Sequence, residues 1–197
     1  MGRPRRTTPA DLVYHVLNRG NGRMRLFEQD GYAAFERVLA EGCQRMPMRI
    51  LAYCLMPNHW HLLLWPATDG AVSRFMGWVT LTHTKRWHGY QQSVGTGHVY
   101  QGRFKSFVVQ QDAHLLTVCR YVERNAVRAT FVERTEQWRW SSVGQRSGSD
   151  RVVPLSAGLV DRPVEWLRWV NETESAEQVA AIRKSVVKGQ PYGTDAW

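Results

Sequence analysis

The chain is short of acidic residues, of cysteine and of long apolar runs, and each shortage excludes something. In 197 residues, 17 Asp and Glu stand against 26 Lys and Arg, giving a net charge of +9 and a pI near 9.9. That excess points to a polyanionic partner, nucleic acid first. A solvated basic surface with no partner satisfies the same numbers. Three cysteines, Cys43, Cys54 and Cys119, are odd in number and scattered. They read as small core residues in a reducing cytoplasm, not as a disulfide framework or a zinc site. No apolar stretch approaches the roughly 20 residues of a membrane span. "MGRPRRTTPA" lacks the apolar centre of a secretion signal, and Arg6 stands where a myristoylation signal wants Ser or Thr. No Walker-type phosphate loop is present, so no nucleotide cofactor is expected.

What is present is a sequence that alternates strand and helix signals. "DLVYHVLNRGNG" reads as a strand ending in a glycine turn. From Asp30, a candidate N-cap, Tyr32, Phe35, Val38 and Leu39 fall at helical spacing. "MRILAYCLM" and "HWHLLLW" flank the turn dipeptide Pro57-Asn58 and read as an antiparallel hairpin. A helix opened by Asp69 or Ser73 places Val72, Phe75, Met76 and Val79 inward. "HVYQGRFKSFVVQ" reads as a further strand, and Asp112 caps a third helix, "AHLLTVCRYVERNAVRA". The order β-α-β-β-α-β-α predicts an α+β, ferredoxin-like split βαβ fold: an antiparallel sheet with helices on one face and the other face free. Beyond Phe131 the pattern weakens. "WRWSSVGQRSGSD" reads as a loop, "RPVEWLRWV" as a short helix, and Ser175 with Gln178 as a capping box for a last helix that stops at Gly189. We therefore expect a basic arm over residues 1–10, a catalytic domain over 11–135 and a C-terminal loop and helical appendage over 136–197.

The chemistry concentrates in "MPNHWHLLLW", residues 56–65. Strand side chains alternate faces, so His59, His61 and Leu63 share one side while Trp60, Leu62 and Leu64 share the other. Two imidazoles about 7 Å apart along one strand can converge on a metal ion. Two ordinary exposed histidines, or the HxH of a cupin barrel, begin the same way. A cupin wants a carboxylate three or four residues on, where this chain has leucines and Trp65. On the third helix, Leu115, Cys119, Val122 and Ala126 make an apolar stripe, and Tyr121, Asn125 and Arg128 a second stripe beside it. If that helix lies beside the histidine strand, two imidazoles and an amide oxygen can hold Mg²⁺ or Mn²⁺ with open positions. The phenol of Tyr121 then stands ready to attack a phosphate. A half-buried tyrosine flanking the core has the same spacing.

The segments "YHVLNRGN", "MPNHWHLLL", "VYQGRFKS" and "YVERNAVRA" stand in the order and approximate spacing of the single-tyrosine HUH transposases. The chain most resembles the REP-associated tyrosine transposases of bacteria, over roughly residues 5–145, and "KGQPYGTDAW" also resembles a terminus of that group. The resemblance implies a metal-dependent endonuclease and strand transferase for single-stranded DNA at hairpins of the REP type. It makes Tyr121 the nucleophile of a 5′-phosphotyrosine intermediate, with His59, His61 and Asn125 as ligands of Mg²⁺ or Mn²⁺. Related transposases often carry Gln where this chain has Asn125, and the familiar N-P-V-R-A-G is altered here to Ala126 and Thr130. It also implies a monomer at work near the nucleoid.

Further DNA contacts are expected from several basic residues. Arg103 and Lys105 share a strand face and suit backbone contacts. Arg3, Arg5 and Arg6 form an arm that suits a groove or a single strand. His15, Arg19 and Arg128 complete the set, with His15 and Arg19 suited equally to base reading or to a polar strand face. Two other readings stay open: a protein that binds hairpins without cutting, and a zinc hydrolase, which needs a carboxylate base near the histidines.

Overall fold

In the computed structural model, which describes residues 8–194, four strands form one antiparallel sheet in the order β2-β3-β1-β4. The elements are β1 (Val13–Arg19), α1 (Gly31–Arg45), β2 (Met48–Met56), β3 (His59–Pro66), α2 (Ala71–Tyr90), β4 (Lys105–Val109), α3 (Ala113–Glu123), α4 (Asn125–Arg128), α5 (Ser142–Ser147), α6 (Trp166–Asn171) and α7 (Ala176–Lys188). β3 pairs with both β1 and β2, and β1 with β4. β1 and β2 therefore run the same way with β3 between them, which is the split βαβ arrangement expected. The turn at Pro57-Asn58 makes the β2–β3 hairpin, with Met56 opposite His59.

The alternation of β3 divides its side chains between two cores. Trp60, Leu62 and Leu64 join Tyr14, Val16, Tyr53 and Leu55 under α1 and α2, which contribute Phe35, Val38, Leu39, Val72, Phe75, Met76 and Val79. Gly42 lets those two helices close up, since a Cβ there would sit 2.9 Å from Phe75 Cε2.

The opposite face is where the structure departs from expectation. It is covered rather than free: Val13, Ala52, Cys54, Met56, Leu63, Phe107 and Val109 pack against Leu115, Val118, Cys119 and Val122 of α3. The cause is visible in the strands. β2 is buried at eight of nine positions, a near-continuous apolar run that needs partners on both faces. Residues 136–197, expected as an appendage, add Trp166, Val170 and Ile182 to this second core. The stretch expected as a loop holds α5, capped by Ser141 Oγ accepting from Gly144 N at 3.0 Å. The last helix has the expected caps, with Ser175 Oγ accepting from Gln178 N and Gly189 at φ 67°. β4 begins only at Lys105, so Arg103 lies in the preceding loop and shares no strand face with Lys105.

Candidate active site

β3 carries His59 and His61 on the face that meets α3. His61 is 5% exposed and His59 half-buried, with ring centroids 5.2 Å apart and the planes at 83°. Each ring is tethered through Nδ1. His59 Nδ1 lies 2.7 Å from Asn58 Oδ1. The Asn58 amide is turned by its Nδ2 donating to the Arg23 carbonyl at 3.5 Å, so His59 donates from Nδ1 and keeps a bare Nε2. His61 Nδ1 lies 2.8 Å from His15 Nε2. Burial, with Arg128 and Arg19 adding to it, pulls His59 down to about 4, and burial with the neighbouring imidazoles pulls His61 well below the ordinary histidine range. Both rings are therefore neutral near pH 7, as a metal-ligating imidazole must be.

α3 brings Tyr121 to these rings because the apolar stripe of Leu115, Cys119 and Val122 locks the helix onto the second core. The Tyr121 ring stands edge-on to His61 and to His15, each at 6.1 Å between centroids. The residue is 6% exposed. Among the described residues no hydrogen bond engages its hydroxyl, and that oxygen is not sealed from solvent. The expected single helix breaks at Arg124 (φ −84°, ψ 1°), which separates α3 from α4. Arg128 folds back across the break. Its guanidinium lies 4.0 Å from the Tyr121 ring centroid, and it donates to the Tyr121 carbonyl at 2.5 Å and to Glu174 Oε2 at 2.6 Å. Arg124 donates to the same carboxylate oxygen at 3.2 Å.

Asn125 opens α4 with its Nδ2 buried and without a partner among the described residues. The Ala126 backbone beside it hydrogen-bonds Cys54, the strand neighbour of His61. Amide oxygen and nitrogen are interchangeable by a flip, so the orphaned position is one that an amide oxygen facing a cation would satisfy. Among the described residues no third histidine, cysteine or carboxylate completes a metal cluster with the pair. Two neutral imidazoles with uncommitted Nε2 atoms and one amide with unused capacity fit a divalent cation that keeps open positions.

The other expected residues divide into three sets. Arg19, Lys105 and Arg103 line one cleft of about 820 Å³ with His59. Arg19 donates to Gln101. A second cleft, about 1030 Å³, runs along α2 and shares Asn18, Gln101, Gly102 and Arg103 with the first. His15 and Arg128 line neither cleft. His15 has no exposed surface because β1 is central in the sheet, with Leu63 and Phe107 on either side of it. Arg128 is committed to Glu174 and Tyr121. Arg3, Arg5 and Arg6 lie outside the described residues. Trp138, Trp140, Trp166 and Trp169 pack against the cores rather than forming a stacking platform.

Sequence reasoning missed four participants. Arg23 and Asn58 line the histidine cleft, Glu174 holds Arg128, and α7 closes one wall with Val186 and Val187. Asn58 was legible as the residue next to His59. For Glu174 no local signal exists, since its partners lie 46 and 50 residues away.

Comparison with known proteins follows the same lines. The model of the family described as "Transposase IS200 like" matches residues 8–125. A protein of Haemophilus influenzae named "Putative REP-associated tyrosine transposase" is 23% identical over 116 residues, covering 55% of this chain. The match spans 66% of that relative, just under two thirds of its length. A solved structure of a REP-associated tyrosine transposase bound to a REP hairpin superposes with a TM-score of 0.59 at 18% identity, covering 82% of this chain and 99% of that one. It shares the fold. With the family model matching more than half of the sequence, including His59, His61 and Tyr121, the chain belongs to the IS200-like transposase family.

Proposed function

We propose that this protein is a metal-dependent single-strand DNA endonuclease and strand transferase that acts beside REP-type hairpins through a phosphotyrosine intermediate. The observation that carries the reading is the meeting of Tyr121 with His61, 6.1 Å between ring centroids, on one face of the sheet. Support for the hairpin comes from the relatives: one similar protein bears a REP-associated description, and the structural neighbour was solved on a REP hairpin.

The Tyr121 oxygen attacks the scissile phosphorus as its phenol proton passes to solvent, which returns one to the leaving 3′ oxygen. The P–O3′ bond breaks, the 3′ oxygen takes up a proton, and the 5′ phosphate stays on Tyr121. The new phosphodiester conserves the energy of the broken one, so the reverse attack by a 3′-hydroxyl reseals a strand without ATP. His59, His61 and Asn125 would hold a divalent cation, Mg²⁺ or Mn²⁺, whose chemistry would be to draw charge from the phosphate oxygens. Arg128 over the Tyr121 ring orients the phenol. Arg19, Arg103 and Lys105 steer the single strand through its phosphates. Tyr121 meets His61 of its own chain, which suits a monomer acting in cis.

The test is to mix the protein with end-labelled hairpin DNA carrying a single-stranded flank and Mg²⁺ or Mn²⁺, then denature and separate. A labelled protein–DNA adduct, absent in Tyr121→Phe and with chelator, is expected. A hairpin-binding protein that does not cut leaves intact DNA, and hydrolysis leaves cut DNA with no adduct even on a 3′-bridging phosphorothiolate substrate, whose displaced 3′-thiol does not readily reverse the step. His59→Ala and His61→Ala should each abolish cleavage while hairpin binding survives.

A further inference from the structure

The buried His15 has no role in the function proposed above. It is wholly buried on β1, its ring stacked on His61 at 5.0 Å between centroids and edge-on to Phe107 at 4.9 Å. Its Nε2 lies 2.8 Å from His61 Nδ1, and its own Nδ1 is buried with no partner among the described residues. The bond to His61 is thus the one hydrogen bond that this buried ring makes among the described residues.

That bond has two forms. In one, His15 donates from Nε2, so His61 carries its proton on Nε2 and cannot ligate through that atom. In the other, His61 donates from Nδ1 to His15 Nε2, and its own Nε2 presents a lone pair to the cleft. The second form is the same tautomer that Asn58 imposes on His59. Resting on the metal-dependent reading of the site, we propose that His15 is a positioning residue for the divalent cation. It accepts the Nδ1 proton of His61, fixing ring and tautomer so that His61 Nε2 faces the metal. Proton number would be conserved: with a cation held at His61 Nε2, His61 would carry its proton on Nδ1, donated to His15 Nε2, and His15 would carry its own on Nδ1. A second-sphere acceptor of this kind governs metal affinity, with losses of about 10–100-fold on removal.

The experiment reads metal binding and tautomer rather than cleavage. Mn²⁺ binding to the free protein is measured by titration calorimetry in wild type, His15→Phe, His15→Gln and His61→Ala, with hairpin affinity as the folding control. Gln places an amide oxygen near the Nε2 position and can accept the same proton, whereas Phe keeps the ring without the acceptor. Mn²⁺ affinity should fall about 10–100-fold in His15→Phe and return toward wild type in His15→Gln, with hairpin affinity unchanged in both. In the Mg²⁺-saturated wild type, ¹⁵N-resolved imidazole spectra should show His61 protonated at Nδ1. Wild-type affinity in His15→Phe, or a His61 proton on Nε2 in the Mg²⁺-bound protein, overturns the role of His15 while leaving the metal site standing. Absence of any His61-dependent Mn²⁺ binding in wild type overturns instead the metal reading beneath it. If His15→Phe does not fold, the wild-type spectrum and His15→Gln still decide.

Discussion

Two residues of the sequence "HWH" show how one position in a strand separates chemistry from stability. His61 and Trp60 are adjacent, yet one faces Tyr121 and the other lies under Phe35 with no exposed surface. Trp60 also donates from Nε1 to Tyr100 Oη at 3.2 Å. Trp60→Ala should therefore cost about 3–5 kcal/mol in urea unfolding, through a cavity in the first core. His61→Ala should leave the first core intact and remove the proposed metal binding. A stable Trp60→Ala protein that has lost only activity contradicts this assignment of faces. The assignment itself was legible, because period-two alternation is a property of the backbone. The committed state of Arg128 was not. Its spacing from Tyr121 was visible on the helix, but the carboxylate that turns it inward comes from Glu174.

At the scale of the element, α3 is a joint between the strand that carries the histidines and the C-terminal helices. Its last residue, Glu123, has no exposed surface. It accepts from Ser142 Oγ at 2.7 Å, Arg146 at 3.1 Å, Arg162 at 3.1 Å and Trp166 Nε1 at 2.9 Å. Removing the charge leaves two guanidinium groups facing an amide. Glu123→Gln should cost about 2–3 kcal/mol, less than a fully buried pair because both arginines keep some contact with water. A urea midpoint matching wild type excludes that role. The apolar stripe of α3 could be read from its period, whereas the break at Arg124 could not, since neither Pro nor Gly stands beside it to mark a stop. α5 escaped for the opposite reason: six residues are too few for a helical period to show.

At the scale of the whole molecule, charge and buried histidine govern behaviour in solution. Arg103 sits exposed in the loop shared by both clefts. Arg103→Ala should weaken all hairpins alike and reduce the slope of log affinity against log salt by about 1. A loss confined to one base position means base reading instead. His83 is buried against Tyr100 Oη at 2.8 Å, and burial pushes it down to about 3. The unfolded chain takes up this proton near 6.5 and the folded chain does not until about 3. Stability is thus fully present above about pH 6.5 and falls below it, by about 1.4 kcal/mol per pH unit for each such histidine. Urea midpoints measured between pH 7.5 and 5 should decline, and His83→Gln should flatten that slope; equal slopes exclude His83 as a source. The sequence by itself determined the order of strands and helices, the faces of β3, the caps of α3 and α7 and the ordered motifs of the transposase family. These rest on local periodicity, capping chemistry and spacing. Only the tertiary structure decided that both sheet faces are covered, that His15 turns inward to His61, and that Glu174 and Glu123 join the C-terminal helices to the tyrosine helix. Those contacts link side chains tens of residues apart, and no local pattern in the chain encodes which distant carboxylate or ring will meet a given partner.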